Sequence, residues 1–447
     1  MRSIARNRSI VGFIDSCEGD ILTGWAQIPY IPMLPAMIDV LIDGAPVGSC
    51  KANVFRPDLR DKGIRDGFAG FQFRIPSKFR DGRTHQIAVT ERLSKRQLAG
   101  IAQFKLERAP DAETRGQVFL SSVNLATNVD SASFVDAVKD RRKLAVYCAF
   151  TPGNDLYAFH HRAIESLRSG GFAILLGQSY TADTDEKPTA VEPPKSNADG
   201  FVVKDNLGYD FGTWLSCLLA VREHLPHLDE ILLINDSVFG PLTDFTKFSE
   251  RVASVEGDVI GVCDSYEHNF HLQSFFLLFR RRVLESEFFD GFIDDYPYNN
   301  DKERVIREGE LALTPALRVA GFRCSAVFPY EHLARAWLER LPNYISELEA
   351  LPENSSFGNG AVKSAELEYL VNLARHLRRG DPVNPTHYFW DIMLEDGCPF
   401  VKRELLLKNP TAHPFLYKAR ELLASTGYPM DLIRDAARRY GTAKIFF

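Results

Sequence analysis

No apolar run in the 447-residue chain approaches the roughly 18 residues needed to cross a bilayer; the longer ones, such as Leu144–Phe150, stop at seven. The sequence therefore predicts no membrane-spanning helix. The N-terminal MRSIARNRSIVGF carries arginines, but its apolar stretch is too short for the core of a signal peptide, so the chain reads as cytoplasmic. Excess positive charge is also missing. Fifty-three Lys and Arg against 59 Asp and Glu leave a formal charge of -6, which provides no global field to hold nucleic acid. Paired cysteines are absent too: Cys17, Cys50, Cys148, Cys217, Cys263, Cys324 and Cys398 are odd in number, scattered and without a CxxC. They read as reduced core residues rather than a disulfide framework. The cofactor signatures GxGxxG, GxxxxGK[ST] and HExxH do not occur, and GQSYT at 177–181 lacks the closing glycine of a nucleophile elbow.

What is present is ordinary globular composition, 45% apolar and 25% charged, in a length that suits two or three domains. Residues 1–107 alternate in short runs (ILTGWAQI, AMIDVLIDG, FAGFQFRIP, HQIAVTERL) between Gly, Pro and Asp turn signals, which predicts a β-sandwich. Asp43-Gly44 between two apolar runs predicts a hairpin. Asp39 and Asp43 fall out of step with a strict period of two, so the buried face of that strand stays open. Trp25 is either a sugar-stacking platform or a buried sandwich residue, the second being favoured. Residues 108–142 are polar and read as a linker with one helix. From 143 to 335, continuous apolar runs (LAVYCAF, FAILLG, FVVKDN, EILLIND, DVIGVCD, SFFLLFRR) alternate with helical stretches, predicting an α/β domain with a mainly parallel sheet covered on both faces. Residues 181–199 read as a mobile surface loop. Residues 336–447 read as mainly helical, interrupted by NPTHYFWD.

Ligands of open parallel sheets gather beyond the carboxyl ends of the strands. Four polar segments follow apolar runs there: Thr151–Asp155, Asn206–Asp210, Asn235-Asp236-Ser237 and Asp264–His271. An Asp ending a buried strand can ligate a hard divalent cation or simply cap the next turn. CDSYEHNFH (263–271) is rich in donor atoms but lacks the four spaced ligands of a tetrahedral zinc site.

NLGYDFGTW (206–214), EILLINDSVFGPL (230–242), DVIGVCDS (258–265), HLQSFFLLFRR (271–281) and NPTHYFWDIMLEDGCPFVKRELLLKNP (384–410) together resemble the rhamnan synthesis protein F family, over about residues 144–410. That resemblance implies a GT-A-like (Rossmann-like) α/β glycosyltransferase domain, preceded here by the β-sandwich and closed by the helical C-terminal region. It implies a nucleotide sugar donor, commonly dTDP-L-rhamnose, and a growing glycan or lipid-linked glycan as acceptor. The N-terminal GWA, the Asp-Gly hairpin and ANVFRPDL (52–59) resemble a small β-domain appended to some bacterial glycosyltransferases. Many GT-A enzymes close a strand with Asp-x-Asp around Mg²⁺ or Mn²⁺; the similar position here is Asn235-Asp236-Ser237, with one carboxylate. Either Asp236 binds the cation with water and phosphate completing its shell, or Lys402 and Arg403 replace the metal. The positions implied for the donor are Tyr147, Asn206, Gly208, Asp210, Asn235, Asp236, Ser237, His271, Gln273, His387, Trp390, Lys402 and Arg403.

Transfer with inversion needs a base for the acceptor hydroxyl. In REGELALTPALRVAGFR (307–323) Glu310 fits the family layout, with Glu308 as the alternative; on a first helical turn, positions two apart point about 200° from each other. Phe389 and Trp390 beside His387, and Tyr209 with Trp214, are stacking or core aromatics. Residues 401–447 hold nine Lys or Arg against four Asp or Glu, a basic amphipathic tail suited to an anionic membrane surface or a solvated helix face. The rival reading is a non-catalytic carbohydrate-binding or polysaccharide-assembly protein with a degenerate glycosyltransferase domain.

Overall fold

The computed structural model describes residues 10–18, 20–29, 35–76, 79–92, 95–98, 102–107, 125–151, 155–180, 195–294, 296, 301–352, 360–413 and 416–440. The chain divides into two compact units, Met1–Gln117 with Arg318–Gly321, and Val118–Leu317 with Phe322–Phe447. In the first, strands β1 (Val11–Glu18), β2 (Ile21–Gln27), β3 (Ala36–Ile42), β4 (Ala45–Ala52), β5 (Val54–Phe55), β6 (Phe68–Arg74), β7 (Thr84–Glu91) and β8 (Ala102–Lys105) form two antiparallel sheets, ordered β1-β2-β6-β5 and β4-β3-β7-β8. One apolar cluster, including Leu22, Ile38, Val40, Phe71, Ile87 and Val89, joins their inner faces. Each such side chain contributes about 1.5–3 kcal/mol on burial. The hairpin forms at Asp43-Gly44, where φ is 50° and 82°, the paired positive values that a tight hairpin turn requires. Asp39 proves to be in phase. Ala36, Ile38, Val40 and Ile42 point inward, and Asp39 faces out, where Ser49, Arg92 and Lys95 bond it. Trp25 also differs from expectation: Leu22, Gly24 and Ala26 take the inward positions of β2, which turns the half-buried indole to the outer face opposite Phe13 and Gly70.

The second unit is built on β9 (Leu125–Thr127), β10 (Lys143–Phe150), β11 (Ala173–Tyr180), β12 (Gly200–Asp205), β13 (Glu230–Asn235), β14 (Val238–Phe239), β15 (Val259–Ser265), β16 (His271–Leu272), β17 (Phe276–Arg280), β18 (Cys324–Phe328) and β19 (Val401–Lys402). Its main sheet runs β16-β15-β17-β13-β10-β11-β12-β9, with β18 beside β15. The centre β12-β11-β10-β13 is parallel; β17 and β9 run antiparallel to their neighbours. Helices used below are α1 (Ala132–Arg141), α2 (Ala158–Ser169), α3 (Tyr209–Ala220), α4 (Phe245–Ser254), α5 (Leu311–Val319), α6 (Tyr330–Ala350), α7 (Gly360–Arg379), α8 (Arg403–Lys408) and α9 (Met430–Arg439).

The apolar run of β10 is continuous because both faces are covered. Ala145, Tyr147 and Ala149 pack into one cluster with α2, α4 and α6, while Leu144, Val146 and Cys148 pack into another with α1 and α3. Helix α3 is apolar all round and buried from Phe211 to Leu218, as such a helix must be. Trp214 is therefore core, its indole N–H donating to the Ile234 carbonyl at 3.2 Å. Residues 125–142 correct the expected linker: β9 pairs with β12 and α1 buries Phe134 and Val138, so this stretch is part of the α/β unit. The remainder of that linker and most of the expected loop, 108–124 and 181–194, lie outside the described residues. Helix α9 likewise spends its apolar face internally, with Ile433 and Ala436 in a cluster with Leu405, Leu406 and Phe239, which leaves that face no membrane to cover. Among the described residues no helix is long and apolar enough to cross a membrane.

Strand order reverses between β10 and β13, a topological switch point at which the carboxyl ends of parallel strands open a crevice. Asn235 and Asp236 stand there.

Candidate functional site

Asp236 follows β13 and is 4% exposed. Its N–H donates to the Cys148 carbonyl of β10 at 3.0 Å. Its Oδ2 accepts three N–H groups, each at 3.2 Å: the Phe150 amide, His160 Nε2 from α2 and Arg403 Nη1 from α8. His160, wholly buried, has a defined tautomer. The Tyr157 amide donates to Nδ1 at 2.9 Å, so the proton sits on Nε2, facing Asp236. Burial depresses the His160 pKa and keeps the ring neutral. Burial pushes the Asp236 carboxyl upward, but Arg403, His160 and the Phe150 amide outweigh it and hold it at about 2.

The C-terminal region supplies the cations. Strands β14 and β19 pair Val238 with Lys402, and the Arg403 amide donates to the Ser237 carbonyl at 2.9 Å. Arg403 Nη1 also donates to the Tyr440 hydroxyl at 2.7 Å, and the guanidinium lies 4.2 Å from the centre of that ring. Among the described residues, the side-chain hydrogen bonds of Arg403 all leave from Nη1. Lys402 Nζ donates to Ser237 Oγ at 3.1 Å and stands 5.0 Å from the Phe275 ring centre.

Asn235 turns the chain at this point. Its Oδ1 accepts from the Ser237 amide at 3.1 Å and the Ser237 hydroxyl at 2.6 Å, and its Nδ2 donates to Asp210 Oδ2 at 2.8 Å. Asp210 lies in the first turn of α3, which Gly208 enters at φ 81°. Burial first, then the Asp236 and Glu310 carboxylates, raise the Asp210 pKa to about 6 against the opposing pull of Lys402 and Arg403. Lys204, fully buried, braces this turn by donating to the Asp205 and Leu207 carbonyls at 2.6 and 2.8 Å.

The two candidate bases part company. They do not open a helix as expected: both lie in a π-helical turn, Ile306–Glu310, between the short helix Lys302–Val305 and α5. Such turns recur at functional sites. Glu310 Oε1 accepts from the Ser274 amide at 3.4 Å, and its charge bears on both Asp210 and Lys402. Glu308 turns to Arg304, whose Nε donates to it at 2.8 Å.

Asn235, Asp236, Ser237, Asp210, Lys402, Arg403 and Glu310 thus come together. His387 stands near enough to Lys402 for that charge, after burial, to help lower its pKa to about 4. His271 donates from Nδ1 to the Asn269 carbonyl and accepts at Nε2 from Gln273, at 3.0 and 3.2 Å, and Asp264 accepts from the Tyr330 amide at 2.6 Å. Cys263, the first donor of CDSYEHNFH, is buried in the core. Tyr147 lies behind the site, 2% exposed and 6.2 Å from the His160 ring centre. Trp390 is 2% exposed and packed against His413, a core position. Asn206 ties its amide to Tyr180 at the approach to Gly208. Sequence reasoning missed His160, Tyr157 and Tyr440; a histidine in a helix and a tyrosine near the chain end carry no local signal of a carboxylate 76 residues away or a guanidinium 37 residues away.

A divalent cation on Asp236 would need further oxygen ligands. The neighbours of Oδ2 are instead hydrogen-bond donors, one of them a cation, and among the described residues no three His, Cys, Asp or Glu are grouped to hold a metal. The residues present do not fit Mg²⁺ or Mn²⁺ held by Asp236 Oδ2.

Residues 183–350 match the family model of rhamnan synthesis protein F. The rhamnan synthesis protein F resemblance read from the sequence is thereby shown over that segment, which contains Asp210, Asn235, Asp236, Glu308 and Glu310; Lys402 and Arg403 lie beyond it. Among curated proteins, the virulence protein VirA of Vibrio anguillarum is 26% identical over 314 residues, covering 69% of this chain and 94% of that protein. An uncharacterized protein of Sinorhizobium fredii, y4gN, is 30% identical over 140 residues, covering 30% of this chain and 37% of its own. No solved structure matches.

Proposed function

We propose that the α/β unit is a GT-A-like glycosyltransferase domain of bacterial polysaccharide biosynthesis, taking a nucleoside diphosphate sugar, L-rhamnose on dTDP, and passing the sugar to a growing glycan. The rhamnan synthesis family match supports the substrate class. The observation that carries the proposal is the pair Lys402 and Arg403, set beside Asp236 at the switch-point crevice. Two cations at that place suit a diphosphate.

In the proposed reaction the acceptor hydroxyl oxygen attacks the anomeric carbon while the bond from that carbon to the diphosphate oxygen breaks. The electron pair leaves with the diphosphate, where Lys402 and Arg403 stabilise the added charge. Glu310 takes the hydroxyl proton. Asn235 and Ser237 shape the turn under the phosphates, and His387 stands near Lys402.

Full-length protein incubated with dTDP-L-rhamnose and a glycan acceptor should release dTDP and lengthen the acceptor. Binding of the nucleotide sugar without any release of dTDP, with or without acceptor, would establish the non-catalytic assembly reading instead. Absence of binding to every nucleoside diphosphate sugar would remove the site.

A further inference from the structure

The carboxylate that most resembles a metal ligand in this site has one of its oxygens, Oδ2, taken up by hydrogen-bond donors. A carboxylate binding a cation offers lone pairs to it. Asp236 Oδ2 offers its lone pairs to three N–H groups instead, and each donor is fixed from elsewhere. The Phe150 amide belongs to the end of β10. The proton of His160 Nε2 is set there by the Tyr157 amide on the other ring nitrogen. Arg403 is fixed by its own backbone bond to Ser237 and by Tyr440, which both accepts from Nη1 and lies under the guanidinium. A divalent ion at this oxygen would stand against a guanidinium 3.2 Å from the same atom and would lose the attraction of the carboxylate to it.

The same contacts leave Arg403 with a directed remainder. Nη1 is spent on Asp236 and Tyr440, so the Nε and Nη2 edge, two parallel N–H groups, remains for a ligand, and that edge matches two oxygens of one phosphate. Lys402, with Ser237 as its side-chain hydrogen-bond partner among the described residues, adds a second positive charge from the adjacent residue.

We propose that Asp236 is a positioning residue, the fixed counter-ion that aims Arg403, and that Arg403 and Lys402 neutralise the donor diphosphate in place of a divalent cation. This rests on the reading of the crevice as a nucleoside diphosphate site, and it goes beyond that reading by assigning the charge balance to the chain itself. His160 and Tyr440 serve the same purpose from either side of the pair.

The test is calorimetric titration of the full chain with dTDP and UDP, in EDTA and in MnCl₂ or MgCl₂. Affinity should agree between the EDTA and metal arms within about twofold. Arg403→Ala should weaken binding by roughly 10- to 100-fold, the range expected for losing charged hydrogen bonds, and equally in both arms. Asp236→Asn should weaken it in both arms as well, and adding Asp236→Asn to Arg403→Ala should cost little more than Arg403→Ala alone, since the two act as one unit. If Asp236→Asn does not fold, Tyr440→Phe, which keeps the ring and loses the hydroxyl, should weaken binding several-fold in both arms. Binding that appears only with metal, or an Asp236→Asn defect confined to the metal arm, overturns the inference and leaves the nucleotide site standing. Additive losses from Asp236 and Arg403, or a Tyr440→Phe variant with unchanged affinity where Asp236→Asn cannot be measured, overturn the positioning role. No binding of either nucleotide in any arm overturns the reading of the site itself.

Discussion

Each unit holds a buried histidine against carboxylate, and the two behave in opposite ways. In the β-unit, His85 faces Asp43 with Nδ1 at 2.7 Å and Asp81 with Nε2 at 3.0 Å. Both nitrogens face carboxylates, which favours the doubly protonated ring, and the hydrogen bonds to Asp81 and then Asp43 raise its pKa. In the α/β unit, His160 meets one carboxylate and one amide N–H, and burial lowers its pKa. Side-chain exposure is 11% for His85 and 0% for His160, so depth is only part of the difference. The partner of Nδ1 decides the rest. A carboxylate there makes an imidazolium that ties a surface together; an amide there makes a neutral donor that leaves the positive charge of the site to Arg403.

The largest effect that separates structural from reactive acids is expected at the π-helical turn. Glu310→Gln should lower sugar transfer by roughly 10²- to 10⁴-fold, as general-base loss does, with nucleotide affinity in calorimetry changed by no more than a few-fold. Glu308→Gln, which weakens a partly exposed pair with Arg304, should change transfer by less than about threefold. Equal losses at both positions would erase the distinction.

Next comes stability. His160→Ala removes a donor from the buried Asp236 and should cost about 1–3 kcal/mol in denaturant unfolding, whereas His85→Gln at neutral pH should cost less.

The pH dependences of the two histidines should then have opposite signs. His85 binds its proton more tightly folded than unfolded, so its stabilisation is complete below about pH 6.5 and is lost as pH climbs through the raised folded value. His160 binds its proton less tightly folded, so below about pH 6.5 the unfolded chain takes up more protons and stability falls with acid. The gap in melting temperature between wild type and His85→Gln should therefore shrink from pH 5 to pH 9. The gap between wild type and His160→Gln should widen from pH 5 to pH 8.

The smallest expected change is in nucleotide affinity. Asp210 has its pKa raised to about 6, and its ionisation adds a negative charge beside Lys402 and Arg403, the cations proposed to hold phosphate. Affinity for dTDP should decline between pH 5 and pH 7, by a few-fold, and Asp210→Asn should flatten that decline in titrations across the same range.

Local physics made several features legible in the sequence. Asp43-Gly44 announces its turn because only a few residue pairs accept two positive φ values, and LAVYCAF announces a doubly covered strand because no exposed face could be so apolar. Asp39 was harder to place: an acid in a strand with apolar residues on either side signals its phase only once its partners, Ser49, Arg92 and Lys95, are known. Asn235-Asp236-Ser237, Lys402 and Arg403, which the structure brings together, were marked as candidates by their motif blocks. The His160 and Tyr440 contacts that orient them were not, because both are long-range and neither needs a recurring local spacing. Glu308 and Glu310 were seen as a pair, but a π-helical turn changes the angle between neighbours, and that turn has no sequence signature here.

The pairing of β14 with β19 also sets an order of events during translation. Lys402 is made 165 residues after Ser237, and Arg403 167 residues after Asp236, with Tyr440 later still. A ribosome-bound chain can complete β10 to β13 and bury their apolar faces while Asp236 has no guanidinium beside it. The two cations therefore join Asp236 only after β10 to β13 have been made, and a chain cut before residue 401 would keep the crevice but lack the charges proposed to hold a diphosphate.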